Sequence, residues 1–481
     1  MTVGSGRSST EGKRSVRIPL LSTLSSAIAA IGLLAATQAG CAAPRHPASS
    51  LPPTPPMGWN SWNSGIDLTE QNVRATIDAM VSSGMRDAGY RYVNLDAGWA
   101  APRRGSRGEL RADPARFPGG VAALARYAHD RGMLLGLYAS PYDEGCSAQP
   151  ALASVGHETV DAQMFAAWGV DYLKYDWCRA EAGHDDQVQV FSRMRDALRA
   201  TGRPIVYSIN PNSSGDYTAG SRYDWSGIAD MARATTDLVP VWRDTLPPLG
   251  PLDPFPLGGY RGVPDEFAAA QAAVTPSRPG YWTDADMMVV GVGWDEFVTR
   301  HFQGIRNGLT VGEVPPGQQD QLRAMAAMTD DQLAHLLLRQ PNLTATEQRA
   351  HFSLWAMLSA PLIAGNDVRF MNPQTRDILT NREVIAIDQD PRVATARPLA
   401  ADGRVLTKPL SDGGVAVAFF NAADNPVTID TSAAGTGLSS APCYAVRDVW
   451  RHTDTKTTAA ITSGIVPPHA VTLLRISPVC S

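Results

Sequence analysis

The sequence predicts a (β/α)8 barrel followed by a C-terminal antiparallel β-sandwich domain. Three observations carry that prediction. Eight short apolar runs are separated by helix-like stretches; the pattern changes to alternation and turn dipeptides beyond about Ala396; and 481 residues with 44% hydrophobic composition suffice for more than one core.

At the N-terminus, Lys13, Arg14 and Arg17 precede Ile18–Ala36, a stretch of Leu, Ile and Ala broken by Pro19 and several serines. It reads as a secretory signal, because a permanent anchor helix wants about 20 cleaner apolar residues. Gln38-Ala39-Gly40-Cys41 is similar to a bacterial lipoprotein cleavage box, with Gln where Leu is usual. Residues 1–41 are therefore expected to direct export, leaving a secreted or cell-surface protein whose only membrane attachment would be a lipidated Cys41. The six prolines from Pro44 to Pro56 then describe an extended tether over residues 42–54.

The barrel is expected over residues 55–394. Its strand candidates are Met57–Trp62, Tyr92–Leu95, Leu134–Ala139, Tyr172–Tyr175, Ile205–Ile209, Ala232–Thr235, Tyr281–Asp284 and Leu358–Ala364. Amphipathic segments such as Glu70–Met85 and Val121–His129 lie between the earliest of them, and strand–helix alternation is most economically closed as a parallel barrel. Two segments read as insertions near the catalytic face: Pro247–Pro279, rich in Pro and Gly, and Trp294–Asn342, with a helical piece at Gln318–Leu338. From residue 396 to 481, runs such as Val415–Phe420, Val427–Ile429 and Val471–Ile476 alternate with turns such as Asp412-Gly413-Gly414, the signature of a small antiparallel domain.

Composition excludes several function classes. Lys+Arg 42 against Asp+Glu 47 gives a formal net charge of -5, with no cationic surplus for a phosphate backbone, so nucleic acid is not an expected partner. Five cysteines without a Cys-x-x-Cys pair, and nine scattered histidines, give no metal motif, and no cofactor is expected. If Cys41 is lipidated, four thiols remain to pair in an exported protein, most simply Cys146 with Cys178 and Cys443 with Cys480.

Chemistry is expected at strand C-termini, since barrel interiors are filled by packing. In Tyr172-Leu173-Lys174-Tyr175-Asp176 the alternation of a strand puts Lys174 and Asp176 on one face. A neighbouring ammonium is expected to lower the pKa of Asp176 and keep it ionised, as a nucleophile or base requires; a structural ion pair has the same pattern. Arg233-Ala234-Thr235-Thr236-Asp237 closes another apolar run with an acid, and a carboxyl near an ionised Asp176 is pushed toward its protonated form. Trp282–Met287 and Asn94–Trp99 add strand-end acids beside aromatics. Paired carboxyls with tryptophan faces suit a sugar site, although spacing alone leaves a glycosidase and another barrel hydrolase both open.

Five ordered motifs resemble those of the α-galactosidase (melibiase) family, glycoside hydrolase family 27: Pro55–Asn63, Asn94-Leu95-Asp96, Asp171–Asp176, Trp282–Met287 and Ser353–Leu362. The resemblance runs from about residue 55 to 394. It implies a retaining hydrolase of terminal α-galactosides with Asp176 as nucleophile and Asp237 as acid/base, the latter in a segment with Ala232 where the family has Trp. Retention implies carboxyl groups about 5 to 5.5 Å apart. The carry-over to a carbohydrate substrate site implies Trp62 as aromatic platform, Asp96 as a hydroxyl-binding acid, Tyr138 as strand-end tyrosine, Lys174 and Arg233 as cationic donors and Asp286 near the ring 2-OH. It also matches Cys146 and Cys178 to a family disulfide. For Trp62 and Tyr138, ordinary core packing is the competing reading.

The sequence departs from the family pattern in three places. Asp96-Ala97 stands where the family has Asp-Asp, removing an acid that grips the 4- or 6-hydroxyl; Gly98 and Ile209-Asn210 replace family Cys and Cys-Glu; and the segment Trp294–Asn342 is extra. A site built to bond a hydroxyl discriminates strongly, so the first departure bears on which sugar is accepted. The same mechanism on β-L-arabinopyranosides or α-1,6-glucans is one alternative, and a lectin-like binding protein on the barrel scaffold is another.

Overall fold

The computed structural model describes residues 51–142, 150–177, 179, 183–213, 215–243, 260–297 and 340–478, with isolated positions 327, 329 and 332 between them. The predicted signal, Cys41, the tether up to residue 50, the pair Cys146 and Cys178, Cys480, and nearly all of Gln318–Leu338 lie outside the described residues. Cys443 is disulfide-bonded. No helix among the described residues is long and apolar enough to cross a membrane.

The strands, in chain order, begin with β1 (Met57–Asn60), β2 (Tyr92–Leu95), β3 (Leu134–Ala139), β4 (Tyr172–Asp176), β5 (Val206–Asn210) and β6 (Met231–Arg233). A short pair follows, β7 (Asp237–Leu238) and β8 (Tyr260–Arg261), and then β9 (Trp282–Asp284) and β10 (Leu362–Ala364). Eight of these ten form one parallel sheet in the order β10-β1-β2-β3-β4-β5-β6-β9. The ends meet where Met288 bridges to Ala364 in parallel and its N–H donates to Ile363 O at 2.7 Å, closing a barrel.

Each of the eight predicted runs overlaps a barrel strand, and the first and last strands, β1 and β10, are the most shortened relative to the apolar pattern. β1 stops at Asn60, whose Oδ1 accepts the Trp62 N–H at 2.8 Å and turns the chain outward. The run from Leu358 begins with the last residue of a helix, which the left-handed Ser359 (φ 50) terminates before β10 can start. At the other end of the strands Tyr92, Tyr172, Val206, Met231 and Trp282, each the first residue of its strand, form a separate apolar plug with Val393.

Ten helices surround or follow the strands: α1 (Glu70–Ser82), α2 (Met85–Ala88), α3 (Gly120–His129), α4 (Glu158–Trp168), α5 (His184–Ala200), α6 (Ala219–Arg222), α7 (Val263–Gln271), α8 (Ala345–Leu358), α9 (Pro373–Leu379) and α10 (Arg382–Asp388), counted among the described residues. The expected insertion Pro247–Pro279 is therefore only partly one. Its second half contains β8 and α7, and α7 turns Val263, Phe267 and Ala270 into the core as an ordinary barrel helix does.

The C-terminal strands are β11 (Arg397–Pro398), β12 (Val405–Pro409), β13 (Val415–Asn421), β14 (Val427–Ser432), β15 (Tyr444–Asp448), β16 (Thr453–Thr457), β17 (Ala460–Val466) and β18 (Ala470–Ser477). A six-stranded sheet in the order β11-β12-β13-β18-β15-β16 faces the pair β14-β17, making an antiparallel sandwich. The alternation of β13 explains how it joins the barrel. Val415, Val417 and Phe419 point into the sandwich core, while Ala416 and Ala418 join the barrel's core cluster.

Small alanines on that face accommodate α8, whose residues from Ala350 to Leu358 are all buried. A helix apolar around its whole circumference needs partners on every side, and here the barrel and the sandwich supply them. Its N-terminus carries a capping box, with Thr344 and Glu347 satisfying each other's backbone N–H groups.

Candidate active site

β4 presents Lys174 and Asp176 together, as strand alternation predicts. The Lys174 Nζ donates to Asp96 Oδ2 at 2.8 Å and lies 3.3 Å from Asp176 Oδ2. Asp96, just past the end of β2, also accepts Asn60 Nδ2 at 3.0 Å, and its backbone N–H donates to Ser61 Oγ at 2.9 Å. Tyr138 lies across from Lys174 in the β3–β4 register, with the ammonium 5.2 Å from its ring centre.

Charge balance in this corner differs from the sequence expectation in one respect. Burial pushes the Asp176 carboxyl up to about 6, and the Lys174 ammonium opposes that rise without cancelling it. Lowering by the cation was expected; desolvation is the larger effect. Burial alone would lower Lys174, but the Asp176 and Asp96 carboxylates hold its ammonium above the ordinary range. Tyr138 is raised well above an ordinary phenol, first by burial and then by the Asp176 charge.

The opposite wall is built on β6 and β9. Arg233 closes β6, and its guanidinium bridges two acids: Nη2 donates to Asp237 Oδ1 at 2.9 Å, and Nη1 lies 3.1 Å from Asp286 Oδ1. Its backbone is fixed closely as well, because Asn212 Nδ2 donates to Arg233 O at 3.1 Å and Gly220 approaches that oxygen so nearly that a Cβ would sit 1.6 Å from it. Burial would lower the guanidinium, yet Asp286 and Asp237 hold it well above its ordinary value.

Asp286 has a left-handed backbone (φ 70), held by Asp284 Oδ1 accepting the Asp286 N–H at 2.9 Å and by Trp355 Nε1 donating to Asp286 O at 3.0 Å. The twist aims the carboxylate at the chain beside Asp237: Asp286 Oδ2 accepts the Leu238 N–H at 2.9 Å. Asp284 itself is buried, which raises its carboxyl to about 7 against the pull of Arg233.

Every proposed sugar-site residue therefore lies at or just beyond the C-terminal end of a barrel strand. The two presumed catalytic carboxyls differ in setting, the Asp176 side chain being 9% exposed and that of Asp237 48%, so one is enclosed and the other faces solvent. Trp62 is 36% exposed, which rules out ordinary core packing for its ring, whereas Tyr138 is 2% exposed and packs in the barrel core while its charge environment includes Asp176, Asp96 and Asp237. Ala97 follows Asp96, and its N–H donates to Asp96 Oδ1 at 2.9 Å.

Four residues of this site carry no assigned role in the sequence analysis. Asn60 and Ser61 sit inside a quoted motif and could have been singled out as the amide and hydroxyl that brace Asp96. Asp284 was noted only as one of several strand-end acids, and its Asx turn to Asp286 is the recoverable signal. Glu266 gave none: it lies on the buried face of α7, fully enclosed, and feels Arg233 and Arg261. Among the described residues, no group of three or more His, Cys, Asp or Glu is arranged to hold a metal ion.

Comparison with known sequences agrees with this architecture. The family model described as Alpha galactosidase A matches residues 54–300 and 315–390, and the one described as Alpha galactosidase C-terminal beta sandwich domain matches residues 400–476. The chain belongs to the α-galactosidase family. It is a glycoside hydrolase by that membership. It is 33% identical to α-galactosidase A of Cellvibrio japonicus over 464 residues, covering 93% of this chain and 98% of the relative. Among solved structures, α-galactosidase I of Mortierella vinacea superposes with a TM-score of 0.70 at 29% identity, covering 90% of this chain and 99% of that one. The α-galactosidase of Saccharomyces cerevisiae, solved with raffinose, gives a TM-score of 0.68 at 25% identity over 89% of this chain and 98% of that one.

Proposed function

We propose that this family member removes terminal α-D-galactosyl residues from galactosides by double displacement, with Asp176 as nucleophile and Asp237 as acid/base. The observation that carries the reading is the contrast between the two carboxyls. Asp176 is enclosed beside Lys174 and, at about 6, is ionised at neutral pH while poorly hydrated, as an attacking carboxylate should be. Asp237 is half exposed, where a leaving group and then water can reach it. Arg233 divides its single positive charge between Asp237 and Asp286, so the guanidinium is shared and not dedicated to either carboxyl.

In the first step Asp176 bonds to the anomeric carbon as that carbon's bond to the glycosidic oxygen breaks, and Asp237 gives its proton to the departing oxygen, so the aglycone leaves as an alcohol. In the second, Asp237 takes a proton from water as the water oxygen displaces Asp176, so the product keeps its anomeric configuration. Trp62 would carry the apolar face of the sugar, and Asp96, Tyr138, Lys174, Arg233 and Asp286 would bind its hydroxyls. Relatives named as α-galactosidases support the choice of sugar.

Ala97 favours a second reading of the sugar. A methyl group where a carboxylate is expected takes away an acceptor near C4 or C6, which suits a ring lacking the C6 group, as in β-L-arabinopyranosides, or a changed epimer, as in α-1,6-glucans. We further propose that residues 1–41 direct export, leaving a protein that is secreted or, if Cys41 is lipidated, held at the cell surface, that residues 42–54 are a linker to a catalytic barrel spanning 55–394, and that residues 396–481 form the β domain.

The test is the initial rate of residues 44–481 on 4-nitrophenyl glycosides of α-galactose, β-L-arabinopyranose and α-glucose, with proton NMR of the first-formed product. Fastest turnover of the α-galactoside with an α product supports the proposal. An inverted product, or full activity in Asp176→Asn, would sink the mechanism; preference for another sugar would replace only the substrate.

A further inference from the structure

The segment that follows Asp237 runs as a short strap from the barrel onto the β-sandwich. Leu238 pairs with Arg261, Val239 N–H donates to Arg261 O at 2.9 Å, and Val263 N–H donates to Val241 O at 3.1 Å, so the strap is hydrogen-bonded along its length. Trp242 then leaves the barrel. Its ring stacks on the imidazole of His469 at 5.0 Å and 19°, and meets the edge of Phe420 at 6.2 Å. Arg243 donates to Ala422 O at 3.0 Å and reaches Asp424 Oδ1 at 3.1 Å.

His469 occupies the turn between β17 and β18 with a left-handed backbone, φ 56, a conformation that an L-residue keeps only when its surroundings impose it. Its two ring nitrogens face carboxylates from different parts of the molecule. Nδ1 is 2.7 Å from Glu347 Oε1, in the first turn of α8, and Nε2 is 2.9 Å from Asp424 Oδ1, in the turn after β13. The other oxygen of Glu347 is occupied by the Thr344 N–H at 2.7 Å and hydroxyl at 2.9 Å. A ring carrying one proton can donate to only one of the two acids; the imidazolium donates to both. The hydrogen bond from His469, followed by the nearby charge of Arg243, holds the Asp424 carboxyl below its ordinary value.

We propose that His469 is a positioning residue for Asp237: pinned between Glu347 and Asp424, its ring is the surface against which Trp242 fixes the strap that carries the acid/base carboxyl. The β-sandwich is then a working part of the catalytic machinery, acting five residues away from Asp237. The inference rests on Asp237 being the acid/base. Its consequence is selective, because an acid matters most when the leaving group is poor, and displacement of a proton donor by a fraction of an ångström weakens that step before any other.

The experiment compares the wild-type chain with His469→Phe, which retains an aromatic ring for Trp242 and removes both carboxylate contacts, and with Asp237→Asn. The readout is kcat/KM on 4-methoxyphenyl and 2,4-dinitrophenyl glycosides of the preferred sugar, together with Tm. We expect His469→Phe to lower the methoxyphenyl-to-dinitrophenyl ratio about tenfold, in the same direction as Asp237→Asn and by less. A ratio within about twofold of wild type, whether or not Tm falls, would reduce His469 to an interface contact and overturn the proposal. Should His469→Phe fold poorly, His469→Gln, which keeps one of the two hydrogen bonds, is expected to give an intermediate ratio, and an unchanged one overturns the proposal equally. An unchanged ratio in Asp237→Asn would remove the acid/base assignment and this inference with it, an outcome distinguishable from failure at His469 alone.

Discussion

Lys174 and Asp176 stand 3.3 Å apart on the same face of β4, and yet the carboxyl is held above its ordinary value. The ammonium is shared, since Asp96 takes its shorter contact at 2.8 Å. Burial therefore outweighs an ion pair that sequence alone presents as the controlling interaction.

Replacing Lys174 by Met removes the opposing charge, so the Asp176 carboxyl should rise further above 6. Because the nucleophile acts as the anion, the acid limb of kcat/KM, expected near pH 6 in the wild type, should move to higher pH. A pH–rate profile checks this. An unmoved limb would mean that another group controls it.

Asp176→Asn should abolish turnover of every glycoside, with a loss of at least about 10⁴-fold, because no other group can form the covalent intermediate. Asp237→Asn should cost roughly 10²- to 10⁴-fold on poor leaving groups and far less on activated ones, and added azide should yield a glycosyl azide where water is no longer activated. Stopped assays with product analysis distinguish the two variants. Equal losses across all leaving groups in Asp237→Asn would contradict its role as acid.

Ala97→Asp restores an acceptor beside Asp96. One hydrogen bond to a substrate hydroxyl is worth about 1 kcal/mol or somewhat more, so the preference for α-galactoside over β-L-arabinopyranoside should increase roughly tenfold. Competition between the two 4-nitrophenyl glycosides measures it. A ratio that stays put would show that position 97 does not contact the ring substituents.

Stability should fall as the solution is made less acidic. Asp388, buried in α10 beneath the sandwich, is raised by burial from 3.8 to about 7, with the Lys408 charge opposing. A carboxyl whose folded value lies above its unfolded one stabilises the fold below about pH 4, and that contribution is lost as pH climbs through about 7. Asp388→Asn should flatten the decline in Tm between pH 4 and 7. A calorimetric pH series is sufficient, and an identical slope in the variant would place the effect elsewhere, with Asp284 the next carboxyl to test.

Much of this was legible in the sequence for a definite reason. Strand-end acids such as Asp96, Asp176 and Asp286 sit in short motifs because each barrel strand delivers its function within a few residues of its own end. β13 was legible as well, because the apolar run Val415–Phe420 follows directly on the turn Asp412-Gly413-Gly414. Relationships across the chain were not. Nothing in the spacing links Glu266 to Arg233, or His469 to Trp242, because those contacts join elements whose approach is set by packing. The sign of the Asp176 shift was also hidden: it depends on how much water the fold removes, and sequence shows only the charges.

The burial of α8 on all sides has a practical meaning for anyone wishing to cut this chain in two. Stripping away the sandwich would bare the flank of α8 that rests on Ala416 and Ala418, and would leave the carbonyl of Ala356 without the ammonium of Lys408, which donates to it at 2.7 Å. A barrel expressed alone would therefore be expected to aggregate. Chimaeras between relatives should exchange residues 344–477 as one cassette, keeping the helix with its N-cap and with the sheet that shelters it.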